Sequence, residues 1–458
     1  MGRGFLILAG TDLVNKASRF AATLLFARLL SLNDFGELNI AIAVAGIIVI
    51  LASLGLPDLG ARQVAVTESR AGLQALIVAT LTLRLLATLI FSVGALVLLV
   101  GTDYLPPDMA AGAVAMAAAM ALSPDWVARG LERMGALGLA WVCGGVTVVL
   151  GAAGLVLVRA GPLEALLVFT AGEIVLAIVC WFQIRNHASP VARPSARGGK
   201  ALVRESWPLA VAAVVTYSYY ANVDTLLLGA LASPAEAGLY SAPYRVFLVL
   251  NTAAMFGAYA IGPAVARLED ADERAGAQRI VEEAVNGLLG YACLVVFGVA
   301  MFGGAAMRFL FGSEFAAATP VFLILTAAVP WHLIGFPTGY SLISAGRHRE
   351  FMYGAASAAL TNVVANLLLI PRLGAEGAAL ATVVGFAVGA GVWLSRRPLS
   401  RLLFLKAALA VGLSSATLAA ALSDSSWRYL LAALLLFVGV ECLARAWRNG
   451  ASTILNRP

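Results

Sequence analysis

The sequence places a small set of ionisable residues inside long apolar segments. A charge at such a position costs about 3 kcal/mol in a bilayer, so it normally marks a pathway or an ion pair. The basic members are Lys16, Arg19, Arg28, Arg84 and Arg245, and the acidic members are Asp12, Glu173, Asp224 and Glu441. Because arginine stays charged and presents a planar fork of donors that suits phosphate, the basic excess favours an anionic ligand such as a pyrophosphate.

The first apolar segment carries three of these charges on one helical face. Asp12, Lys16 and Arg19 are spaced by four and three residues, and Asn15 and Thr23 lie beside them. Such a stripe cannot face lipid. Either it forms a cavity wall for an anionic ligand, or it pairs with itself near one membrane surface. We predict that Lys16 and Arg19 bind substrate.

Three further arginines are predicted to bind substrate. Arg28 lies near the far end of the first segment, Arg84 near the middle of the third, and Arg245 in the eighth. Grouped around one cleft, they would suit a pyrophosphate head group. The alternatives are snorkelling of Arg28 to the membrane surface and internal salt bridges for Arg84 and Arg245.

The acidic residues are candidates for coupling transport to an ion. Glu173 lies near the middle of the sixth segment, and Asp224 follows Tyr217 and Asn222 in the polar stretch TYSYYANVDT. Buried carboxylates carry protons or pair with arginine, and carboxylate, amide and hydroxyl oxygens together can hold Na⁺. We predict Asp224, Glu173 and Asp12 as ion-coupling residues, with H⁺ or Na⁺ as the ion and no other cofactor or metal. Tyr217 and Asn222 are assigned to the substrate site.

The composition requires a membrane environment for these residues. The chain has 458 residues, of which 61% are hydrophobic and 12% charged, with a mean hydropathy of +0.90. A soluble domain carries about 25% charged residues. The net charge of +6 is therefore not a nucleic-acid signal, because the basic residues sit in short loops. The four cysteines lie in apolar segments, without metal-site or disulfide spacing.

The apolar segments predict an all-α polytopic protein with about fourteen transmembrane helices, since lipid cannot satisfy an open backbone. The predicted spans are 5–30, 34–55, 73–100, 109–127, 136–158, 162–184, 205–230, 236–264, 280–307, 318–344, 353–370, 374–395, 402–421 and 427–446. Most Lys and Arg residues outside the spans fall on the side of the N-terminus. The other side holds Arg159, Arg308, Arg372 and Arg428. This bias predicts that both termini are cytoplasmic.

A basic, Pro- and Gly-rich segment in mid-chain predicts two halves. Glycines recur at an offset of 202 residues, and the pairs are Gly36 and Gly238, Gly55 and Gly257, and Gly60 and Gly262. We predict two pseudo-symmetric six-helix lobes, 1–184 and 205–395, joined by a cytoplasmic linker, 185–204, and followed by two appended helices, 402–446. A polar cleft between two such lobes is the usual arrangement of an alternating-access transporter.

The tenth segment contains VPWHLIGFPTGYSL. Its prolines and glycines, Pro330, Gly335, Pro337 and Gly339, are predicted to break or kink the helix. Broken helices line cavities in transporters. His332 in this segment is either titratable or a hydrogen-bonded structural residue.

Four sequence motifs, in order and on the expected spans, resemble the polysaccharide transporter family of oligosaccharide flippases. The motifs are ARLLSLNDFGEL (27–38), SPDWVARGLERM (123–134), VDTLLLG with GLYSAPYRV (223–246), and TNVVANLLLIPRLGAEGAALAT (361–382). That family belongs to the same superfamily as the multidrug and toxic-compound extrusion antiporters and the lipid II flippases. The resemblance covers about residues 1–400.

The resemblance implies the two-lobed fold of that superfamily, and movement of an undecaprenyl-pyrophosphate-linked oligosaccharide to the outer leaflet of a bacterial inner membrane. The product would serve surface polysaccharides such as O-antigen or exopolysaccharide, with a polymerase and glycosyltransferases as partners. Arg28, Asp224 and Arg245 lie within the matching motifs, so the resemblance carries them over as cavity residues.

Three alternatives remain open. A cation-coupled multidrug exporter would hold net acid in its cavity, whereas basic residues dominate these spans. A lipid II flippase shares the span count and the basic cavity, but fits the motifs less well. A membrane enzyme is not expected, since the DxD motif, Asp270-Ala-Asp272, stands in a short charged loop.

Overall fold

The computed structural model describes residues 2–158, 161–185, 202–207, 210, 223–423 and 425–455, and every regular element in these ranges is helical. The helices longer than one turn are α1 Gly2–Leu29, α2 Leu32–Ser53, α3 Leu56–Val66, α4 Arg70–Gly101, α5 Pro107–Ala121, α6 Asp125–Gly130, α7 Met134–Val158, α8 Pro162–Ile184, α9 Val223–Leu231, α10 Pro234–Asp270, α11 Arg274–Phe311, α12 Thr319–Thr326, α13 Ala328–Ser344, α14 His348–Arg396, α15 Arg401–Leu422 and α16 Trp427–Leu455. A short 3₁₀ helix, Ser313–Ala318, precedes α12. The predicted all-α membrane architecture is confirmed.

Eleven helical segments of the described chain are long and apolar enough to cross a membrane. One of them, α14, contains a non-helical residue at Gly374 and so covers two of the predicted spans. The first predicted span corresponds to α1, which carries five charged residues, and most of the seventh, 205–230, lies outside the described residues. The count of about fourteen therefore stays a prediction.

The chain divides into two compact units, residues 1–238 and 239–458. Most of the predicted linker, 185–204, lies outside the described residues, so the predicted lobe boundaries stay predictions.

The first unit is assembled through glycines that let helices approach closely. On α7, a Cβ at Gly138 would overlap Thr11 of α1, and one at Gly145 would come within 3.0 Å of Ser18. A Cβ at Gly144 would lie 2.9 Å from the carbonyl oxygen of Gly172 on α8. Small residues are the usual device for packing membrane helices, because lipid supplies no hydrophobic force between them. The first, fifth and sixth predicted spans are thereby held together.

The fourth predicted span is broken after α5, at Leu122–Pro124. The short helix α6 then packs on α3, where Gly60 lies against the ring of Trp126 and Gly130 against the carbonyl of Ala61. The motif SPDWVARGLERM is therefore built for a close helix crossing.

In the second unit, the tenth predicted span is broken at Ala327, between α12 and α13, rather than at the predicted prolines and glycines. Pro330 stands in the first turn of α13, where a missing N–H leaves no helical bond unmade. α13 continues through Pro337. Gly339 instead makes room for the indole of Trp393.

A buried arginine ties the start of the two C-terminal helices to the α10–α11 turn. Arg397 lies 2.9 Å from Glu269 and donates from Nε to the side-chain oxygen of Gln278 at 3.1 Å. Gln278 donates in turn to the carbonyl of Pro398, and the Ser400 N–H donates to Glu282. Farther along, Gly290 of α11 and Gly439 of α16 pack backbone to backbone.

The first pair of repeat glycines meets face to face. A Cβ on Gly36 would overlap the carbonyl oxygen of Pro234, and a Cβ on Gly238 would overlap that of Leu32. The turns that begin α2 and α10 therefore touch through backbone atoms at equivalent positions of the proposed repeat.

We predict that Gly36→Ala lowers the free energy of unfolding by about 2 kcal/mol or more, because the backbone contact must open. Gly46→Ala is the matched control on the same helix, since a Cβ there meets nothing within 4 Å. Alanine is the better helix former by about 1 kcal/mol, so this variant should be neutral or stabilised. Thermal unfolding in detergent measures both. Equal changes in the free energy of unfolding for the two variants would contradict the close contact between Gly36 and the backbone of Pro234.

Candidate functional site

The charged stripe of α1 divides into two ion pairs. Lys16 Nζ lies 2.7 Å from Asp12 Oδ2, one helical turn away, and the Lys16 side chain is 57% exposed. This pair is the self-paired arrangement left open by the sequence. The predicted substrate role of Lys16 and coupling role of Asp12 stay predictions.

Arg19 turns away from the stripe and reaches across to α8. Its Nη2 lies 2.7 Å from Glu173 Oε1, and its Nε donates to Asn15 Oδ1 at 3.2 Å. The side chains are only 23% and 11% exposed. A predicted substrate-binding residue and a predicted ion-coupling residue therefore form one pair, which the glycines of α7 make possible by holding α1, α7 and α8 close together.

The Arg19–Glu173 pair has a chemical consequence. Taking one partner away leaves a partly buried charge uncompensated, which is costly. An anionic ligand can gain Arg19 only by replacing Glu173 or after Glu173 is neutralised. The pair is thus the strongest candidate in the described part of the first unit for coupling proton or cation binding to anion binding.

Arg84 helps to complete the broken fourth span. It is 4% exposed and donates from Nη1 to the carbonyl of Ser123 at 3.0 Å, while Trp181 Nε1 donates to the carbonyl of Leu122 at 3.0 Å. The last carbonyls of a helix have no partner within it, so a buried break must find donors elsewhere. The guanidinium of Arg84 supports the scaffold here, and its predicted role with substrate stays a prediction.

Arg84 belongs to a polar stripe on α4 that the sequence analysis missed. Thr80 precedes it and Thr88 and Ser92 follow it, each at four-residue spacing. All three are buried, and their hydroxyl groups have no hydrogen-bond partner among the described residues. The four-residue spacing through an apolar helix was the available signal. The exposed side of α4 is mostly aliphatic, with Phe91 as an aromatic residue.

Asp224 stands in the first turn of α9 and is 7% exposed. Tyr104 holds this helix in place, since its hydroxyl donates to the carbonyl of Leu226 at 2.5 Å and lies against Gly229. Burial raises the pKa of Tyr104, which keeps its hydroxyl protonated as a donor. The predicted partners Tyr217 and Asn222 lie outside the described residues.

Arg28 and Arg245 occupy exposed and half-exposed positions. Arg28 stands in the last turn of α1 and Arg245 in α10, on the side that also carries Thr252 and Tyr259. We call this side the mixed face of α10. It joins a cation, a hydroxyl and aromatic rings with the exposed Leu248 and Val249, whereas the exposed side of α4 is mostly aliphatic. A charge in mid-helix normally faces the protein interior, a polar cavity or an ion pair rather than lipid.

His332 has the geometry of a structural residue. It is buried, its Nδ1 lies 2.9 Å from Asn251 Oδ1, and its ring packs edge-on against Phe386 at 4.9 Å. In the described part of the chain, no group of three or more His, Cys, Asp or Glu side chains is placed to hold a metal. All four cysteines are free. Glu441 is paired with Lys406 and Arg445 in the C-terminal helices.

Comparison with known families decides the identity. The profile of the family described as polysaccharide biosynthesis protein matches residues 1–269. The chain belongs to this family. A curated relative from Haloferax volcanii, named "Probable low-salt glycan biosynthesis flippase Agl15", is 23% identical over 51% of this chain and 49% of its own length. The match therefore spans about half of that relative.

Solved structures with the same fold come from the superfamily anticipated above. A structure titled "Lipid II flippase MurJ, inward closed conformation" covers 98% of this chain and all of its own, with 13% identity and a TM-score of 0.70. An inward-facing multidrug resistance MATE family transporter of the MOP superfamily covers 88% of this chain and 96% of its own, with 14% identity and a TM-score of 0.65. This member of the polysaccharide biosynthesis family is thus a multi-pass membrane protein with the fold of MOP-superfamily flippases and transporters, and the sequence resemblance is confirmed.

We predict that Arg19 and Glu173 are energetically coupled. A double-mutant cycle with Arg19→Met and Glu173→Gln should give a coupling free energy above about 1 kcal/mol, because each single change strands a partly buried group. The exposed pair Asp12 and Lys16 is the matched control on the same helix and should give about 0.5 kcal/mol or less. Thermal unfolding in detergent supplies the four free energies of each cycle. Similar coupling free energies for the two pairs would contradict a stronger interaction between Arg19 and Glu173.

Proposed function

We propose that this protein is a flippase that moves a lipid-linked oligosaccharide, carried on undecaprenyl pyrophosphate, from the cytoplasmic to the outer leaflet of a bacterial inner membrane. The observation that carries the proposal is the family match over residues 1–269, together with a relative named as a glycan biosynthesis flippase. The transported glycan would supply the assembly of a surface polysaccharide, alongside a polymerase and glycosyltransferases.

The charges of the described chain support an anionic cargo. Arg28, Arg245 and Lys16 stand at exposed or half-exposed positions of apolar helices, and Arg19 is partly buried in its pair with Glu173. A pyrophosphate needs cations presented from a protein wall. An exporter of cationic drugs needs the opposite charge in its cavity. A lipid II flippase would share the preference for pyrophosphate, so the glycan must distinguish the two functions.

The proposed cycle is alternating access with both termini in the cytoplasm. Pyrophosphate enters from the cytoplasmic side, draws Arg19 away from Glu173, and is released on the other side when the protein changes state, while the lipid tail stays in the bilayer. Each ligand shifts the balance between the two states only by its differential affinity for them. Cation or proton binding at Glu173, Asp224 or Asp12 would reset the protein without catalysing any covalent change.

We predict that purified protein in proteoliposomes flips an undecaprenyl-pyrophosphate-linked glycan but does not export a cationic dye. Arg19→Gln should lower the rate at least tenfold, because one charge-assisted contact to phosphate is worth about 1.5–3 kcal/mol. Arg396→Gln is the matched control, since Arg396 is an exposed arginine at the end of α14. Accessibility of the glycan to an added lectin measures flipping. Dye export without glycan flipping would refute the proposal, and flipping of lipid II alone would assign the narrower function.

We further predict that an imposed proton or sodium gradient accelerates flipping in the wild type. Glu173→Gln and Asp224→Asn should each reduce this acceleration by at least half. An amide side chain carries no negative charge, so it can neither take up and release a proton nor neutralise a bound cation. Glu441→Gln is the control, since this carboxylate is paired with Lys406 and Arg445 in the C-terminal helices. Unchanged acceleration in both test variants would remove carboxylate coupling from the mechanism.

A further inference from the structure

The mixed face of α10 ends in a group of exposed aromatic rings. Phe256 is 56% exposed and Tyr259 is 44% exposed, about one helical turn apart. The ring of Tyr259 meets that of Tyr340, on α13, at 5.2 Å with an interplanar angle of 63°. The exposed side of α4, in contrast, is mostly aliphatic, with Leu89, Ile90 and Val97 beside a single phenylalanine, Phe91.

Tyr340 is held in place from behind. Its ring stacks on Phe336 at 6.2 Å, and Phe336 packs on His332 at 5.4 Å. His332 returns to α10 through its contact with Asn251. Gly262 keeps the helices close, since a Cβ there would lie 3.0 Å from the Tyr340 ring. A fixed ring loses little conformational entropy when it binds a ligand.

The backbone adds a polar group beside these rings. Pro263 lies inside α10 and has no N–H, so the carbonyl of Tyr259 lacks its usual helical donor. A sugar ring presents an apolar face of C–H groups and an edge of hydroxyl groups. Aromatic faces suit the first, while the backbone carbonyl oxygen suits the second.

The position along the helix fits a glycan entering from the cytoplasm. α10 has 37 residues, or about 55 Å, which exceeds the roughly 30 Å of membrane hydrocarbon. Tyr259 lies past the middle of α10, toward the end that the loop charges place in the cytoplasm. Arg245 stands about 21 Å away on the same face, close enough for one extended ligand to reach both.

We propose that Phe256, Tyr259 and Tyr340 form an aromatic platform that binds sugar rings of the transported glycan. This inference rests on the proposed flippase function and extends it by assigning a carbohydrate subsite apart from the basic residues. The platform selects for glycans longer than one sugar, while pyrophosphate binding belongs to the arginines.

The test compares two probes in proteoliposomes: undecaprenyl pyrophosphate carrying a tetrasaccharide, and the same lipid carrying one N-acetylglucosamine. Tyr259→Leu should raise KM for the tetrasaccharide roughly fivefold, the value of one aromatic contact. It should change KM for the monosaccharide less than twofold, which also shows that the variant is folded. Tyr259→Phe keeps the ring and should behave as wild type. Phe302→Leu, on α11 and 64% exposed, is the control for an aromatic residue in contact with lipid.

The outcomes separate the two proposals. If the wild type flips both probes and Tyr259→Leu affects neither, the platform is wrong and the flippase stands. If Tyr259→Leu and Phe302→Leu slow both probes equally, the rings are membrane-interface anchors and the platform is wrong. If Tyr259→Phe is as impaired as Tyr259→Leu, stacking is not the interaction. If the wild type flips neither probe, the proposed function itself fails.

Discussion

Hydrocarbon offers no hydrogen-bond partner to a peptide group, and that constraint explains most of the architecture. It makes every regular element of the described chain helical, and it makes each interruption of a helix costly. Where the fourth span breaks, Arg84 and Trp181 donate to the carbonyl groups that the break exposes. Where the tenth span breaks, Pro330 stands in the first turn of α13. The N–H groups of a first turn make no hydrogen bond within the helix, so a proline there removes none. A charge in the membrane can thus serve the backbone rather than a ligand.

Close packing through glycine follows from the same solvent. In lipid there is no hydrophobic driving force between apolar helices, so they associate through close van der Waals contacts between small residues. Gly138 and Gly145 bring α7 close to α1, and Gly144 and Gly172 bring α7 close to α8. Together these contacts place Arg19 within reach of Glu173. The distance between a candidate anion-binding group and a candidate coupling group is therefore set by residues without any polar side chain.

Both units contain paired charges, and the second unit also carries the mixed face of α10. In the first unit, Arg19 pairs with Glu173 and Arg84 donates to a backbone carbonyl, so both side chains have partners within the protein. In the second unit, the mixed face of α10 presents a cation, a hydroxyl and rings toward the surface. An anion binds to cationic side chains, whereas a sugar ring binds to aromatic and neutral polar groups. A helix as long as α10 can carry both kinds of group at separate positions.

The sequence by itself determined the class of protein, the approximate spans and the set of ionisable residues, because hydropathy, charge bias and motif order are local properties. It also indicated the repeat, through glycines such as Gly36 and Gly238 that prove to touch. Partners were decided only by the tertiary structure. Asp12 pairs with Lys16 one helical turn away, as the spacing of the two residues allowed. Arg19 instead pairs with Glu173, which is distant in the sequence, and Arg84 donates to the backbone carbonyl of Ser123. The sequence also did not predict the position of the break in the tenth span or the contact between Tyr259 and Tyr340, since both depend on how distant helices pack.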